Sequence, residues 1–152
     1  MTLRAGDTAP DFELPDQHGT TRRLAKMLTD GPVVLFFYPA ASTPGCTKES
    51  CHFRDLAAEF AAVGAQRVGI SRDAVHVQRG FAERYSFDYP LLADVEGTVA
   101  DAYGVKRGLL GRVAPVKRTT FVIGTDRTVR RVIASELDMN AHADRALAEL
   151  GG

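Results

Sequence analysis

The stretch PVVLFFYPAASTPGCTKESCHFRD, residues 32–55, joins an unbroken apolar run to a segment that has the features of a helix start. The run VVLFFY at 33–38 does not alternate between apolar and polar residues, which predicts a central strand covered on both faces. Threonine is a good N-cap and proline is favoured at the first helical position, so Thr43 and Pro44 predict that a helix begins here. Cys46 is then the third residue of this helix, just beyond the carboxyl end of the strand.

The helix that begins at Pro44 is predicted to extend over 44–62 as one element. Apolar residues recur along it at helical spacing and predict a core-facing stripe made of Phe53, Leu56, Ala57 and Phe60. Gly64 is the predicted stop, because glycine readily adopts the left-handed conformation that commonly follows a helix.

Further strands are predicted on both sides of this stretch. We expect an N-terminal hairpin over 11–24, a buried strand over 66–71 and a short extended segment over 88–94. The apolar runs TTFVIG and TVRRVIAS meet at the turn GTDR and predict an antiparallel hairpin near the C-terminus.

Three further helices are predicted between and after these strands. One is expected over 73–86, with Val77, Phe81 and Tyr85 on one side, and a brief one over 97–105. The last helix is expected behind an Asn140 cap, with an apolar stripe made of Ala143, Ala146, Leu147 and Leu150. This order of elements predicts an α/β protein, a mixed sheet with helices on both faces, in one domain spanning 1–152.

Composition and charge argue against several classes of function. With 152 residues, 45% hydrophobic and 25% charged, the chain has the size and composition of one globular domain. A formal net charge of zero and a pI of about 6.9 favour neither nucleic acid nor an anionic membrane as a partner. The N-terminal segment MTLRAGDTAPDFELPDQ has no apolar core of the kind a secretory signal needs. We therefore expect a cytoplasmic protein, where a lone cysteine pair is more often catalytic, redox-sensing or metal-binding than a permanent bridge.

The predicted position of Cys46 favours a thiolate. The N–H groups of the first helical turn lack intrahelical partners and the helix dipole is positive there, and both effects stabilise an anion. Cys51 follows five residues later, so ideal helix geometry turns it roughly 140° from Cys46 and separates the two Cα atoms by roughly 8–9 Å. A disulfide needs about 7 Å or less, so the pair can be bridged only if the start of the helix unwinds.

Three other interpretations of the cysteines stay open at this point. A zinc-type site needs about four ligands, and the other candidates are scattered histidines: His18, His52, His76 and His142. A thioredoxin-type exchange site has two residues between its cysteines, whereas this chain has four. A free cysteine is also commonly a small buried hydrophobic residue. The cap, the proline, the glycine and the partner cysteine together favour a reactive pair over all three, with no metal.

The segment YPAASTPGCTKESCHFRD, 38–55, resembles the active-site segment of peroxiredoxins, in particular the Q or bacterioferritin comigratory class. The family pattern of a proline, three residues, a threonine, two residues and a cysteine is matched by Pro39, Thr43 and Cys46. The resemblance extends from GDTAPDFELPDQHG near the N-terminus to KRTTFVI at 117–123, and so covers most of the chain. It implies a thioredoxin-like fold, with a central mixed β-sheet flanked by helices and an N-terminal hairpin.

The resemblance also implies a thiol-dependent peroxidase that uses no cofactor. It makes Cys46 the peroxidatic cysteine, Thr43 the hydroxyl that holds the peroxide, and Arg118 the guanidinium that stabilises the thiolate and the developing charge. Pro39 would shield the thiolate from water. The backbone N–H groups of Gly45 and Cys46 would join Arg118 in stabilising the leaving oxygen.

In the implied cycle, Cys51 resolves the sulfenic acid formed on Cys46 as an intramolecular disulfide. The implied partners are hydrogen peroxide or small organic hydroperoxides as substrates and thioredoxin or a similar dithiol protein as reductant. The resemblance favours a monomer. A different class of function, a peroxide-sensing binding protein that reacts once without turnover, would use the same two cysteines.

The sequence departs from the common family form in two places. Ala40 and Ala41 stand after Pro39, where relatives often carry charged or polar residues. The glycine-rich loop over 105–117, together with Arg118, contains five basic residues and no acidic one. Such a run is usually a solvated loop, and its functional alternative is a docking surface for an acidic reductase or a second subunit.

Overall fold

The apolar run at 33–38 contains the middle strand of a five-stranded sheet in the computed structural model, which describes residues 1–107 and 115–151. The strands are β1 (Glu13–Pro15), β2 (Thr21–Arg23), β3 (Val33–Phe37), β4 (Gln66–Ser71), β5 (Leu91–Ala93), β6 (Thr119–Ile123) and β7 (Val129–Ala134). The helices are α1 (Leu24–Met27), α2 (Pro44–Asp55), α3 (Ala57–Ala62), α4 (Val75–Tyr85), α5 (Thr98–Ala102) and α6 (Met139–Gly151). A short 3₁₀ helix, Leu28–Asp30, follows α1.

The large sheet is mixed, with the strand order β5-β4-β3-β6-β7. Strand β3 pairs in parallel with β4 and antiparallel with β6, and β6 and β7 form the predicted C-terminal hairpin. Strands β1 and β2 form a separate antiparallel hairpin near the N-terminus. The predicted mixed sheet, both hairpins and the central position of the apolar strand are confirmed.

Helices cover both faces of the sheet because the side chains of β3 alternate between two apolar clusters. Val33, Leu35 and Phe37 contribute to a cluster shared with α1 and α5. Val34 and Phe36 contribute to the opposite cluster, shared with α2, α3, α4 and α6. A completely buried strand with apolar residues on both faces is what its unbroken apolar sequence predicts.

The prediction of one helix over 44–62 is wrong, because the helix breaks at Leu56, which has φ −95° and ψ 21°. In one straight helix, residues seven apart are separated by about 10 Å along the axis. The break instead brings the ring centroids of Phe53 and Phe60 to 5.7 Å, and Phe53 also stacks on Phe36 at 4.1 Å. The stop at Gly64 is confirmed, since this glycine has φ 68° and its N–H donates to the Ala61 carbonyl.

Two details of the other helices also differ from the sequence prediction. The last helix begins at Met139, and Asp138 rather than Asn140 accepts the N–H of Ala141, at 3.1 Å. Val77 is 37% exposed, because the buried face of α4 runs through Gln78 and Phe81. Gln78 replaces an apolar residue there by donating to the Leu92 carbonyl, a contact that helical spacing alone does not reveal.

Two further observations concern the predicted basic loop and the apolar character of the helices. Most of that loop, residues 108–114, lies outside the described residues, and on either side of it Lys106 and Val116 form an antiparallel bridge. Over the described ranges, no helix has the length and apolar character needed to cross a membrane.

Candidate active site

Cys46 lies in the first turn of α2, where the chain leaves the carboxyl end of β3. The first intrahelical hydrogen bond runs from the Thr47 N–H to the Thr43 carbonyl at 2.8 Å, so the N–H groups of Gly45 and Cys46 precede it. Cys46 is buried, with 1% of its surface exposed. The predicted helix start is confirmed, and it brings the positive end of the helix to a buried sulfur.

The loop between β3 and α2, residues 38–43, is held in place by its backbone contacts. Ser42 adopts φ 64°, in the left-handed region, and the Ala41 N–H donates to Asp73 Oδ2 at 2.8 Å. The hydroxyl of Thr43 is exposed and donates to the Ala40 carbonyl at 2.7 Å. Thr43 is therefore the N-cap by its backbone conformation, but its side chain makes no capping bond and its oxygen lone pairs are available to accept.

Arg118 precedes β6, and its buried guanidinium lies against α2. Its Nη2 donates to Cys46 Sγ at 3.4 Å, and its Nη1 donates to Glu49 Oε1 at 3.0 Å. The Arg118 backbone N–H donates to Glu136 Oε1 at 2.9 Å, which fixes the main chain as well. The sulfur thus faces the positive charge of a buried side chain whose guanidinium and main chain are both bonded to carboxylates.

Gly45 allows this close approach of Arg118 to the first turn of α2. A Cβ atom at position 45 would lie 3.1 Å from Arg118 Nη2 and 3.1 Å from the terminal methyl group of Met139. Both separations are shorter than ordinary van der Waals contact, so a larger residue would displace one neighbour or the other. The glycine of the TPGC segment therefore has a packing role beside the sulfur.

Two residues of the site, Glu49 and His142, are absent from the sequence-based prediction of its chemistry. Both are completely buried, and Glu49 Oε2 lies 3.5 Å from His142 Nδ1. Burial raises the pKa of Glu49 to about 8, although the charge of Arg118 acts in the opposite direction. Burial lowers the pKa of His142, against the effect of its bond to the Ser135 carbonyl. Glu49 could have been suspected, because a residue three positions after Cys46 lies on the same face of a helix.

Cys51 lies on the same unbroken helix as Cys46, and both thiols are free. Cys51 is half-buried, and burial raises the pKa of its thiol while the charge of Arg54 opposes this effect. The turn around it is anchored, since the Tyr89 hydroxyl donates to the Ser50 carbonyl at 2.7 Å. The structure thus brings Cys46, Gly45 and Arg118 together, places Pro39 and Thr43 on the adjoining loop, and leaves Cys51 one turn and a half further along α2.

Comparison with known proteins agrees with this site and fold. Residues 5–132 match the AhpC/TSA family. A protein of Mycobacterium tuberculosis (strain CDC 1551 / Oshkosh) that is named as a peroxiredoxin is 70% identical over 148 residues, which are 97% of this chain and 96% of that protein. The chloroplastic peroxiredoxin Q of Sedum lineare is 38% identical over 142 residues, 93% of this chain and 75% of that protein. The crystal structure of peroxidoxin BcpB from Mycobacterium tuberculosis superposes with a TM-score of 0.94 and 69% identity, covering 98% of this chain and 97% of that one.

A thioredoxin-like sheet that presents a buried cysteine at a helix N-terminus, facing a buried arginine, defines the class of thiol peroxidases to which these relatives belong. The chain belongs to the AhpC/TSA family and is a peroxiredoxin, with relatives of the Q and bcp type among its neighbours. Its reaction class is therefore peroxide reduction by a thiol.

Proposed function

We propose that Cys46 is the peroxidatic cysteine of this peroxidase and that Cys51 resolves it. The observation that carries the proposal is the 3.4 Å contact between Cys46 Sγ and Arg118 Nη2, made at the N-terminus of α2. A thiolate is the reactive form of a cysteine, and a guanidinium and the N-terminus of a helix both stabilise it. Cys51 lies in the second half of α2, away from the helix N-terminus, and burial raises the pKa of its thiol although the charge of Arg54 opposes this effect.

Peroxide reduction begins with an attack of the Cys46 thiolate on one oxygen of the hydroperoxide. The S–O bond forms as the O–O bond breaks, Cys46 becomes a sulfenic acid, and the leaving oxygen takes a proton to give water or an alcohol. Arg118 contacts the sulfur, and the N–H groups of Gly45 and Cys46 precede the first intrahelical bond of α2, so these donors are suited to stabilise the charge that develops on the leaving oxygen.

Thr43 and Pro39 have supporting roles in this proposal. The Thr43 hydroxyl donates its proton to the Ala40 carbonyl, so its oxygen can accept a hydrogen bond from the hydroperoxide O–H. Half-buried Pro39 borders the loop and limits the access of water to the sulfur. A site built from backbone groups and a few side chains imposes little shape on the substrate, so hydrogen peroxide and small organic hydroperoxides are both proposed substrates.

In the second step, the Cys51 sulfur attacks the sulfenic acid, the disulfide forms and water leaves. The two cysteines lie five residues apart on an intact helix, and ideal helix geometry puts their Cα atoms roughly 8–9 Å apart, beyond the reach of a disulfide. The first turns of α2 must therefore unwind before the bond can form. Phe53, stacked on Phe36, is well placed to hold the end of the helix during this change.

Thioredoxin or a similar dithiol protein is the proposed reductant, acting on the disulfide by thiol exchange. We also propose that the protein works as a monomer in the cytoplasm. The anchored turn around Ser50 slows unwinding and so determines how long the sulfenic acid waits for Cys51.

The proposal is tested by intact mass spectrometry of the reduced protein after one molar equivalent of hydrogen peroxide. The native chain should lose two hydrogens, Cys51→Ser should gain one oxygen, and Cys46→Ser should show no fast change. A Cys46→Ser variant that is oxidised as fast as the native chain would overturn the assignment of Cys46. A Cys51→Ser variant that still loses two hydrogens would overturn that of Cys51.

A further inference from the structure

A buried polar cluster lies beside Nη1 of Arg118, the guanidinium nitrogen that contacts Glu49 and not Cys46. It comprises Glu49 of α2, Thr120 of β6 and His142 of α6, and each of the three has 0% of its surface exposed. Buried ionisable groups are costly unless their charges and protons are matched. The positions of the protons in this cluster therefore affect the charge that Arg118 presents to the sulfur.

The hydrogen bonds of His142 fix its tautomer. Its Nε2 lies 2.8 Å from the carbonyl oxygen of Ser135, which can only accept, so Nε2 carries a proton. Burial lowers the pKa of His142, which favours the neutral ring. In the neutral ring Nδ1 presents a lone pair, and it accepts the hydroxyl of Thr120 at 2.8 Å.

Glu49 faces this lone pair with an oxygen that lacks a donor. Its Oε1 accepts from Arg118, but its Oε2 is buried, finds no hydrogen-bond partner among the described residues, and lies 3.5 Å from His142 Nδ1. An ionised oxygen in this position would be buried against a lone pair, whereas a proton between the two atoms makes the contact attractive. Burial raises the pKa of Glu49 to about 8, which also favours the protonated carboxyl group.

We propose that Glu49 and His142 share one proton between Oε2 and Nδ1, and that this proton keeps the positive charge of Arg118 free for Cys46. With the proton in place, Arg118 faces one anion, the thiolate. Without it, the carboxylate and the thiolate share a single guanidinium, and the developing charge on the leaving oxygen is stabilised less. His142 is thus a positioning residue that acts through Glu49, and this inference rests on the proposed role of Cys46.

The pair should make peroxide reduction sensitive to pH. The charged groups that face it from other elements are Arg118, Glu136 and Asp138. Arg118 favours the ionised form of Glu49 and Glu136 opposes it, while Glu136 and Asp138 favour the protonated form of His142. Burial dominates for both members, so the shared proton should be lost as the pH rises through about 8, and the rate of Cys46 oxidation should fall there.

The first arm of the test compares the pH dependence of Cys46 oxidation by hydrogen peroxide in the native chain and in Glu49→Gln. Glutamine has the shape of the protonated acid and cannot ionise. The native rate should fall by up to about tenfold per pH unit above about pH 8, as expected for a single ionisation, and the Glu49→Gln rate should not. An equal fall in both proteins overturns the proposal.

Two further variants separate a proton-holding role from a merely structural one. In His142→Asn an amide N–H can face Glu49 Oε2 and stabilise the ionised carboxylate, so the fall in the rate of Cys46 oxidation should move to lower pH. In Thr120→Val the His142 Nδ1 lone pair no longer accepts the Thr120 hydroxyl and can accept only the Glu49 proton. The fall in the rate of Cys46 oxidation should therefore move to higher pH. Shifts in these opposite directions support the proposal, and an unchanged midpoint in both variants overturns it.

The last arm does not depend on peroxide. Infrared difference spectra of the reduced protein between about pH 6 and about pH 10 should contain the C=O band of a protonated carboxylic acid, and Glu49→Gln should lose this band. Its absence from the native spectrum overturns the proposal even if Cys46 proves to be peroxidatic. If the band is present but Cys46 does not react with peroxide, the shared proton is supported and only the proposed role of Cys46 is overturned.

Discussion

Replacing Gly45 by alanine should slow the reaction of Cys46 with peroxide. The added Cβ would meet Arg118 Nη2 and the Met139 methyl group, each at 3.1 Å, so the guanidinium must shift away from α2. The contact at risk is the 3.4 Å hydrogen bond to Cys46 Sγ. A hydrogen bond to a charged group contributes about 1.5–3 kcal/mol, which corresponds to oxidation that is about 10- to 150-fold slower.

The helix itself should gain from the same change, because alanine is favoured over glycine in helices by up to about 1 kcal/mol. The assay is stopped-flow oxidation of Cys46 by hydrogen peroxide, with denaturant unfolding of the same sample. Gly80→Ala is the matched control, since Gly80 lies in α4 with open space around it, and it should raise stability with no change in rate. A Gly45→Ala rate equal to that of the native chain would refute the reasoning that Gly45 admits Arg118 to the sulfur.

Three further predictions address the contacts around the site. In Glu49→Gln the raised pKa is removed. Stabilisation by the protonated acid is fully present below about pH 4.5 and is lost as the pH rises through about 8. Between these two pH values, the unfolding free energy of the native chain should therefore fall relative to that of the variant by up to about 1.4 kcal/mol per pH unit. Urea unfolding of both proteins measures this difference. In Tyr89→Phe the bond to the Ser50 carbonyl is lost, at about 1 kcal/mol, so α2 should unwind about fivefold more readily and mass spectrometry should find less sulfinic acid at high peroxide. In Asp73→Ala the Ala41 N–H loses its acceptor, so the loop should loosen and Cys46 oxidation should slow about fivefold.

The predictions for Tyr89→Phe and Asp73→Ala each have a control elsewhere in the chain. Tyr85→Phe removes a hydroxyl from α4 and should leave the yield of sulfinic acid unchanged. Asp126→Ala removes a carboxylate that accepts the Thr128 N–H in the turn between β6 and β7, and it should leave the oxidation rate unchanged. Equal effects of a variant and its control would contradict the proposed local cause. A stability difference between the native chain and Glu49→Gln that does not change with pH would contradict the ionisation assigned to Glu49.

The parts of this protein that the sequence predicts best are those determined locally. The strand at 33–38 follows from its apolar run, and the start of α2 follows from Thr43 and Pro44, because caps and strand burial depend on neighbouring residues. The break at Leu56 could not be predicted in this way. Next to the break Phe53 stacks on Phe36, a partner that is distant in sequence.

The same distinction applies to the site. The position of Cys46 at the helix N-terminus could be predicted from the TPGC segment alone, whereas Arg118 required a family resemblance, since an arginine before a strand is usually a surface residue. His142 could not be connected to the site from sequence, because α6 meets α2 only in the folded protein and the helical pattern suggests a cap at Asn140 instead. Buried polar contacts between distant elements have no signature in local spacing.

The most direct test of the central claim, that this protein turns over peroxide through Cys46, is steady-state hydrogen peroxide consumption coupled to thioredoxin and its reductase. The native chain should consume many equivalents of peroxide, and Cys46→Ser should consume none above the background. Consumption that stops after one equivalent in the native chain would indicate a sensor without turnover. Equal turnover by Cys46→Ser would contradict the account.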